Sequence, residues 1–222
     1  MIGRMTTRAF CLAGILAIGG FALLPATGRA AVVITNLSQP NLNDLSTGPQ
    51  VGAAILIGST PINLDSIQIN QSGTGARAAQ TFAVYSRNGD GTVGSSLFSD
   101  FSLSFDSPSG IDTATANSPF QFAANTGYWL MLISPDSGNV NWNFTQSPTY
   151  TASFGVSMPT VDTSTVFHSN TSQYQYFNLA DGPQFVQVNG TAAAPEPAST
   201  CALAIVAAAV LARRRTPYRQ AA

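Results

Sequence analysis

No lysine occurs in the 222-residue chain, histidine and glutamate occur once each, and the two cysteines, Cys11 and Cys201, lie in apolar segments near the ends. Each scarcity closes a class of function. Between Ala31 and Ala194 the only basic residues are Arg77 and Arg87, set against nine aspartates (44, 65, 90, 100, 106, 112, 136, 162 and 181). That stretch has a formal charge of 2 − 9 = −7, although the whole chain sums to −1. Such a surface repels phosphate backbones, so nucleic acid is excluded as an expected partner. Zinc needs Cys or His ligands, and one histidine without cysteine supplies no such set. No cofactor is expected. The stretch must also hold together without disulfides, which about 160 residues can do by burying an ordinary core.

The N-terminus is basic and then apolar. Arg4 and Arg8 precede the run Ala9–Leu24, followed by Pro25 and "ATGRAA". This is the order of a secretory signal peptide over residues 1–30, with cleavage expected after Ala30 and the secretion machinery as the implied partner. An uncleaved membrane helix is the alternative, disfavoured by Gly19, Gly20 and Pro25 within the run.

What fills the middle is Ser, Thr, Asn, Gln and Gly, with Phe, Val, Ile and Tyr as the apolar content, a β composition. Period-two alternation marks strands in "VNWNF" (140–144), "YTASFGVSM" (150–158) and "LFSDFSLSF" (97–105). In "INLDSIQIN" (62–70) the phase switches between Leu64 and Ile67, and a bulge near Asp65 and Ser66 would absorb the extra residue. "AAILIG" (53–58) and "YWLMLI" (128–133) are continuous apolar runs too short for helices and read as central strands. Turn signals separate these segments, among them "NGDG" at 88–91 and "ADGP" at 180–183. The expectation is an all-β domain over residues 31–190: an antiparallel β-sandwich of eight to ten strands, of the jelly-roll kind. Pro159–Gln173 is polar and reads as a long loop, and "NGTAAAPEP" after Val188 reads as linker, with 191–197 carrying the Pro-Glu-Pro motif.

Candidate sites are few. His168 is the sole histidine, and no G-x-S-x-G elbow surrounds any serine, so no catalytic residues are assigned. "SRNGDG" (86–91) echoes the start of a calcium loop through Asn88 and Asp90. Ser86 replaces the first acid, however, and Leu97 stands where a bidentate Glu belongs. A hairpin turn explains the same residues and is preferred. Aromatics able to stack on sugar rings are Trp129, Trp142, Tyr150, Tyr174 and Tyr176. Alternation assigns Trp142 and Tyr150 to the core and leaves Tyr174 and Tyr176 as outward ligand-binding candidates. The pattern N-x-[ST] occurs at Asn36, Asn70, Asn143, Asn170 and Asn189, a frequency that so Asn- and Ser/Thr-rich a chain produces by chance.

The C-terminus carries the most specific pattern. Pro195-Glu196-Pro197 leads into the apolar run Ala198–Ala212, then Arg213-Arg214-Arg215, then "TPYRQAA" (216–222). As a helix the run would span about 22 Å at about 1.5 Å per residue, short of the roughly 30 Å hydrocarbon core. The arginines would hold their end in the cytoplasm. This three-part order resembles the PEP-CTERM sorting signal of bacterial exported proteins, with residues 198–215 as its hydrophobic helix and arginine cluster. It departs from the usual pattern in its alanine content and in the seven trailing residues. The resemblance implies recognition of Pro195, Glu196 and Pro197 by an exosortase, transient residence in the inner membrane, and display at the cell surface or beyond. The middle domain, through "TFAVYSRNGDGTVGSSLF" and "FQFAANTGYWLML", resembles the bacterial choice-of-anchor β domains, a resemblance that implies no catalytic residues. The functional expectation is a non-enzymatic surface or extracellular-matrix protein of the exopolysaccharide envelope. Alternatives are a carbohydrate-binding or carbohydrate-active jelly-roll protein, whose acids would all have to be aspartates, and a plain membrane-anchored adhesin.

Overall fold

The computed structural model describes residues 30–40, 44–72, 79–106, 110–134, 139–168 and 171–193. The expected signal peptide before Ala30, the sorting residues Pro195, Glu196, Pro197, Arg213, Arg214 and Arg215, the helix 198–215 and the tail 216–222 all lie outside the described residues.

Fourteen strands are present among the described residues: β1 (Ala31–Thr35), β2 (Asp44–Gly48), β3 (Gln50–Leu56), β4 (Ile62–Asn70), β5 (Thr81–Arg87), β6 (Val93–Phe98), β7 (Phe101–Asp106), β8 (Ile111–Phe122), β9 (Gly127–Ile133), β10 (Val140–Phe144), β11 (Thr151–Ala152), β12 (Ser164–His168), β13 (Gln173–Phe177) and β14 (Val186–Ala192). They form two six-stranded sheets, ordered β11-β1-β14-β4-β8-β7 and β13-β12-β3-β9-β5-β6, and a two-stranded ribbon, β10-β2. Every strand pair is antiparallel. The fold is therefore all-β, and the sheets pack as a β-sandwich. One contiguous core takes Ile34, Ile62, Ile67, Phe122 and Val188 from the first sheet, Val51, Ile55, Phe82 and Leu130 from the second, and Trp142 from the ribbon.

Alternation explains the inner faces. In β9, Tyr128, Leu130 and Leu132 face the core, while Trp129 and Met131 join Ala54 in a second, smaller cluster on the outer face. β9 is thus buried on both sides, which is why its sequence is a continuous apolar run. The outer cluster is closed from two directions. Tyr174 and Tyr176 of β13 pack against it from one side, and Tyr85 and Val93 of the β5–β6 hairpin from the other. The Trp129 indole N–H donates to the Gly91 carbonyl at 3.1 Å and the Val93 N–H to the Tyr176 hydroxyl at 3.1 Å. Register shifts between β5 and β6 at Val84–Tyr85 and Tyr85–Arg87 supply the bend.

Several local expectations meet this architecture directly. The bulge in β4 is present: its pairing with β14 shifts where Asn189 faces Ser66 and Gly190 faces Leu64, leaving Asp65 extra. "LFSDFSLSF" is not one strand. β6 and β7 belong to different sheets, joined at Ser99–Asp100, and this corner is tied by the Asn117 side-chain amide donating to the Asp100 carboxylate at 3.1 Å. Crossing between sheets reverses which side is inward, so Leu97 is 47% exposed while Phe98 and Phe101 pack on the core. "YTASFGVSM" keeps only β11, because Phe154 (φ 56°) and Gly155 (φ 72°) turn the chain. The expected loop over 159–173 is also corrected: Ser164–His168 is β12, hydrogen-bonded between β3 and β13. Its polar residues are tolerated there because Thr165 donates to the Gln175 carbonyl and Ser164 to that of Gly182. The linker begins later than expected. β14 runs to Ala192 against β4, and the Ala193 N–H still donates to the Pro61 carbonyl at 2.9 Å.

A candidate ligand groove between the β12–β13 hairpin and the β2–β10 ribbon

The second sheet extends past β3 by two strands, β12 and β13, and across from them lies the β2–β10 ribbon. Between the two is a cavity of about 320 Å³ lined by Thr47, Phe144, Ser164, Val166, His168, Gln175, Phe177, Asp181 and Gly182. Strand alternation selects the hairpin's contribution. Ser164, Val166 and His168 point to one side of β12, as do Gln175 and Phe177 of β13, while Phe167, Tyr174 and Tyr176 point to the other. The ribbon contributes Thr47 and Phe144, and the 3-10 turn Leu179–Asp181 places Asp181 and Gly182 at the rim.

Two glycines set the spacing of these walls. A Cβ on Gly48 would lie 2.7 Å from Val166 and 2.8 Å from the Phe167 carbonyl, so only glycine lets β2 approach β12 this closely. Gly182 has φ 114°, and a Cβ there would lie 2.4 Å from the Thr145 carbonyl and 2.8 Å from the Phe144 ring.

The polar groups are held in place. His168 Nε2 bonds Gln175 Oε1 at 3.0 Å, and because that oxygen can only accept, the imidazole N–H donates. The Gln175 side chain, itself part of the lining, keeps its amide N–H groups to donate. Asp181 Oδ2 accepts from the Asn178 N–H at 3.0 Å, which fixes the carboxylate at the rim.

Ser164 and His168, though both line the cavity, do not form a nucleophile–base pair. Ser164 and His168 lie four residues apart on one strand, about 13 Å at about 3.3 Å per residue, so the hydroxyl cannot reach the imidazole. Asp181 is the one carboxylate among the described lining residues.

The other sequence candidates sit elsewhere. Tyr174 and Tyr176 lie on the opposite face of the hairpin, half-buried. The Tyr174 ring packs on Phe167 (centroids 5.0 Å apart) and Tyr176 on Trp129 (5.8 Å). The Tyr174 hydroxyl donates to Gln50 Oε1. Burial, then the neighbouring Tyr85 and Tyr176, push its ionisation up to about 12. Trp129 and Trp142 are both fully buried.

Asn88 and Asp90 form the β5–β6 turn. Asp90 Oδ1 accepts from the Thr92 N–H at 3.0 Å and from its hydroxyl at 2.7 Å, and the Asn88 amide donates to that hydroxyl at 2.9 Å. The Thr92 hydrogen bonds hold the Asp90 carboxyl below its ordinary range. Among the described residues no group of three or more His, Cys, Asp or Glu side chains is placed to hold a metal ion. Of the N-x-[ST] asparagines, Asn36 and Asn143 are buried and hydrogen-bonded inside the domain, and Asn170 lies outside the described residues.

The groove residues Phe144, Gln175, Phe177 and Asp181 were not legible as a site. "VNWNF" and "SQYQYFN" mark two strands, and "ADGP" a turn, but nothing local says that these three pieces meet. No family model, no curated protein and no solved structure matches the chain.

Proposed function

We propose that the chain is an exported, non-enzymatic surface or extracellular-matrix protein, carried on a jelly-roll ectodomain and sorted by its C-terminal segment. The observation that carries this reading is the order Pro-Glu-Pro, apolar run, arginine cluster at residues 195–215, following an N-terminal secretory pattern. The strand order supports the jelly roll: β1-β14-β4-β8 in one sheet and β3-β9-β5-β6 in the other, the chain crossing between sheets in the interleaved manner of two Greek keys. The end of β14 supports the sorting role. The Pro-Glu-Pro motif starts three residues after Ala192, so a processing enzyme would meet it next to the folded domain.

Exosortase, the inner membrane and the exopolysaccharide of the envelope are the partners this reading requires. Intact-mass analysis of the protein from its natural producer, together with fractionation of membrane and matrix, tests it. Loss of the segment after the Pro-Glu-Pro motif and recovery in the matrix are expected; a C-terminus at Ala222 in the membrane fraction would overturn processing and favour an anchored adhesin. A carbohydrate-binding role is the second reading, favoured by the groove, where two aromatic side chains and several planar polar groups converge.

A further inference from the structure

We propose that the groove between the β12–β13 hairpin and the β2–β10 ribbon binds an uncharged pyranose unit of a polysaccharide chain, with Phe144 and Phe177 as apolar walls and His168, Gln175 and Asp181 as hydrogen-bonding groups. This deepens the carbohydrate-binding reading and rests on it.

Three observations carry the assignment. The volume, about 320 Å³, falls at the small end of ligand pockets and suits one or two sugar rings rather than a protein segment. The lining has the mixture a sugar demands. Aromatic rings cover its C–H face, and planar amide, carboxylate and imidazole groups, already oriented by the His168–Gln175 and Asn178–Asp181 bonds, meet adjacent hydroxyls without further ordering cost. The walls are also built from the backbone, since Gly48 and Gly182 hold the ribbon and the rim at distances no larger residue would permit.

Charge selects the class of sugar. Neither Lys nor Arg is among the described lining residues, and the one carboxylate there is that of Asp181. The described Arg87 is engaged on the other face, donating to the Val161 carbonyl at 3.2 Å and lying 4.0 Å from Asp162. A uronate or sulfated sugar would place its charge beside Asp181 with nothing to balance it, whereas a neutral hydroxyl gains a charge-assisted hydrogen bond.

Affinity electrophoresis of the full chain, in a non-ionic detergent without sugar headgroups, through gels containing a soluble glucan, a galactomannan or polygalacturonate tests this. Retardation by at least one neutral polysaccharide and none by polygalacturonate is expected. Gln175→Ala, at an exposed position that the fold does not need, should weaken retardation about tenfold, the equivalent of one hydrogen bond of about 1.4 kcal/mol. Phe177→Ala should weaken it further, and Tyr174→Phe, on the opposite face, should leave it unchanged. The proposal is overturned if both neutral gels leave mobility unaltered, if polygalacturonate retards as strongly, if Gln175→Ala binds as the parent does, or if Tyr174→Phe abolishes binding. Failure here, with the protein still recovered processed in the matrix, removes the groove and leaves the sorting reading intact; an unprocessed membrane protein that still binds glucan does the reverse.

Discussion

Asn36 offers the sharpest test of how this sandwich is closed. It follows β1, is fully buried, and replaces a missing stretch of strand with its own amide: Nδ2 donates to the Gln184 carbonyl at 2.9 Å, and Oδ1 accepts from the Val186 N–H at 2.8 Å. Its own N–H donates to the Val186 carbonyl at 3.1 Å. These bonds tie together residues about 150 positions apart, so the segment after β1 and the start of β14 meet in one buried network. Asn36→Ala removes both side-chain bonds and leaves a carbonyl and an N–H without these partners. At about 1–3 kcal/mol per stranded buried group, the loss is about 2–6 kcal/mol. That is a large share of the roughly 5–15 kcal/mol available to a domain. A mid-range loss of about 4 kcal/mol would lower the melting temperature by about 8–16 °C in a domain of this size. Urea unfolding followed by tryptophan fluorescence suits the measurement, because the Trp142 indole donates to the Phe185 carbonyl at 2.7 Å, beside the network. Gln187→Ala is the control: its amide bonds Gln68 and Asn189 in a half-exposed setting, and about 1 kcal/mol or less is expected. If Asn36→Ala cost no more than Gln187→Ala, the claim that this amide substitutes for strand pairing in a dry interior would be refuted.

Two further outcomes follow from local geometry. Gly182→Ala forces a side chain into φ 114° and against the Thr145 carbonyl and the Phe144 ring, so a loss above about 2 kcal/mol is expected by equilibrium unfolding, together with loss of retardation in neutral-polysaccharide gels; a variant as stable as the parent would show that the rim relaxes freely. Tyr174 has a raised folded-state ionisation, up to about 12 against an ordinary value of 10.0, so its contribution to stability is complete below about pH 10 and is lost as pH rises towards 12. Ultraviolet titration of the folded protein should therefore show a late phenolate step that Tyr174→Phe removes, and retention of that step in the variant would reassign it.

The chain alone determined the class of fold and much of its core. A pleated strand alternates its side chains every residue, so "INLDSIQIN" carried both its inward positions and the bulge at Asp65, and "YWLMLI" declared a central strand. The turn at Asn88–Gly91 was equally local, because the hydrogen bonds among Asn88, Asp90, Gly91 and Thr92 that shape it run between residues no more than four apart; only its Gly91 carbonyl reaches out, to the Trp129 indole. The proposed terminal signals, too, rest on sequence order alone. Period two, however, fixes only which side of a strand is apolar, not which sheet receives it. That ambiguity hid the crossing at Ser99–Asp100, which turned one expected strand into two on opposite sheets. It also hid β12, whose polar residues find their partners on Gln175 and Gly182, beyond any local window. The burial of Asn36 and the meeting of Phe144, Gln175, Phe177 and Asp181 depend on strand order across most of the chain. Tertiary structure alone decided them, because long-range pairing brings those segments together and local propensity carries no record of it.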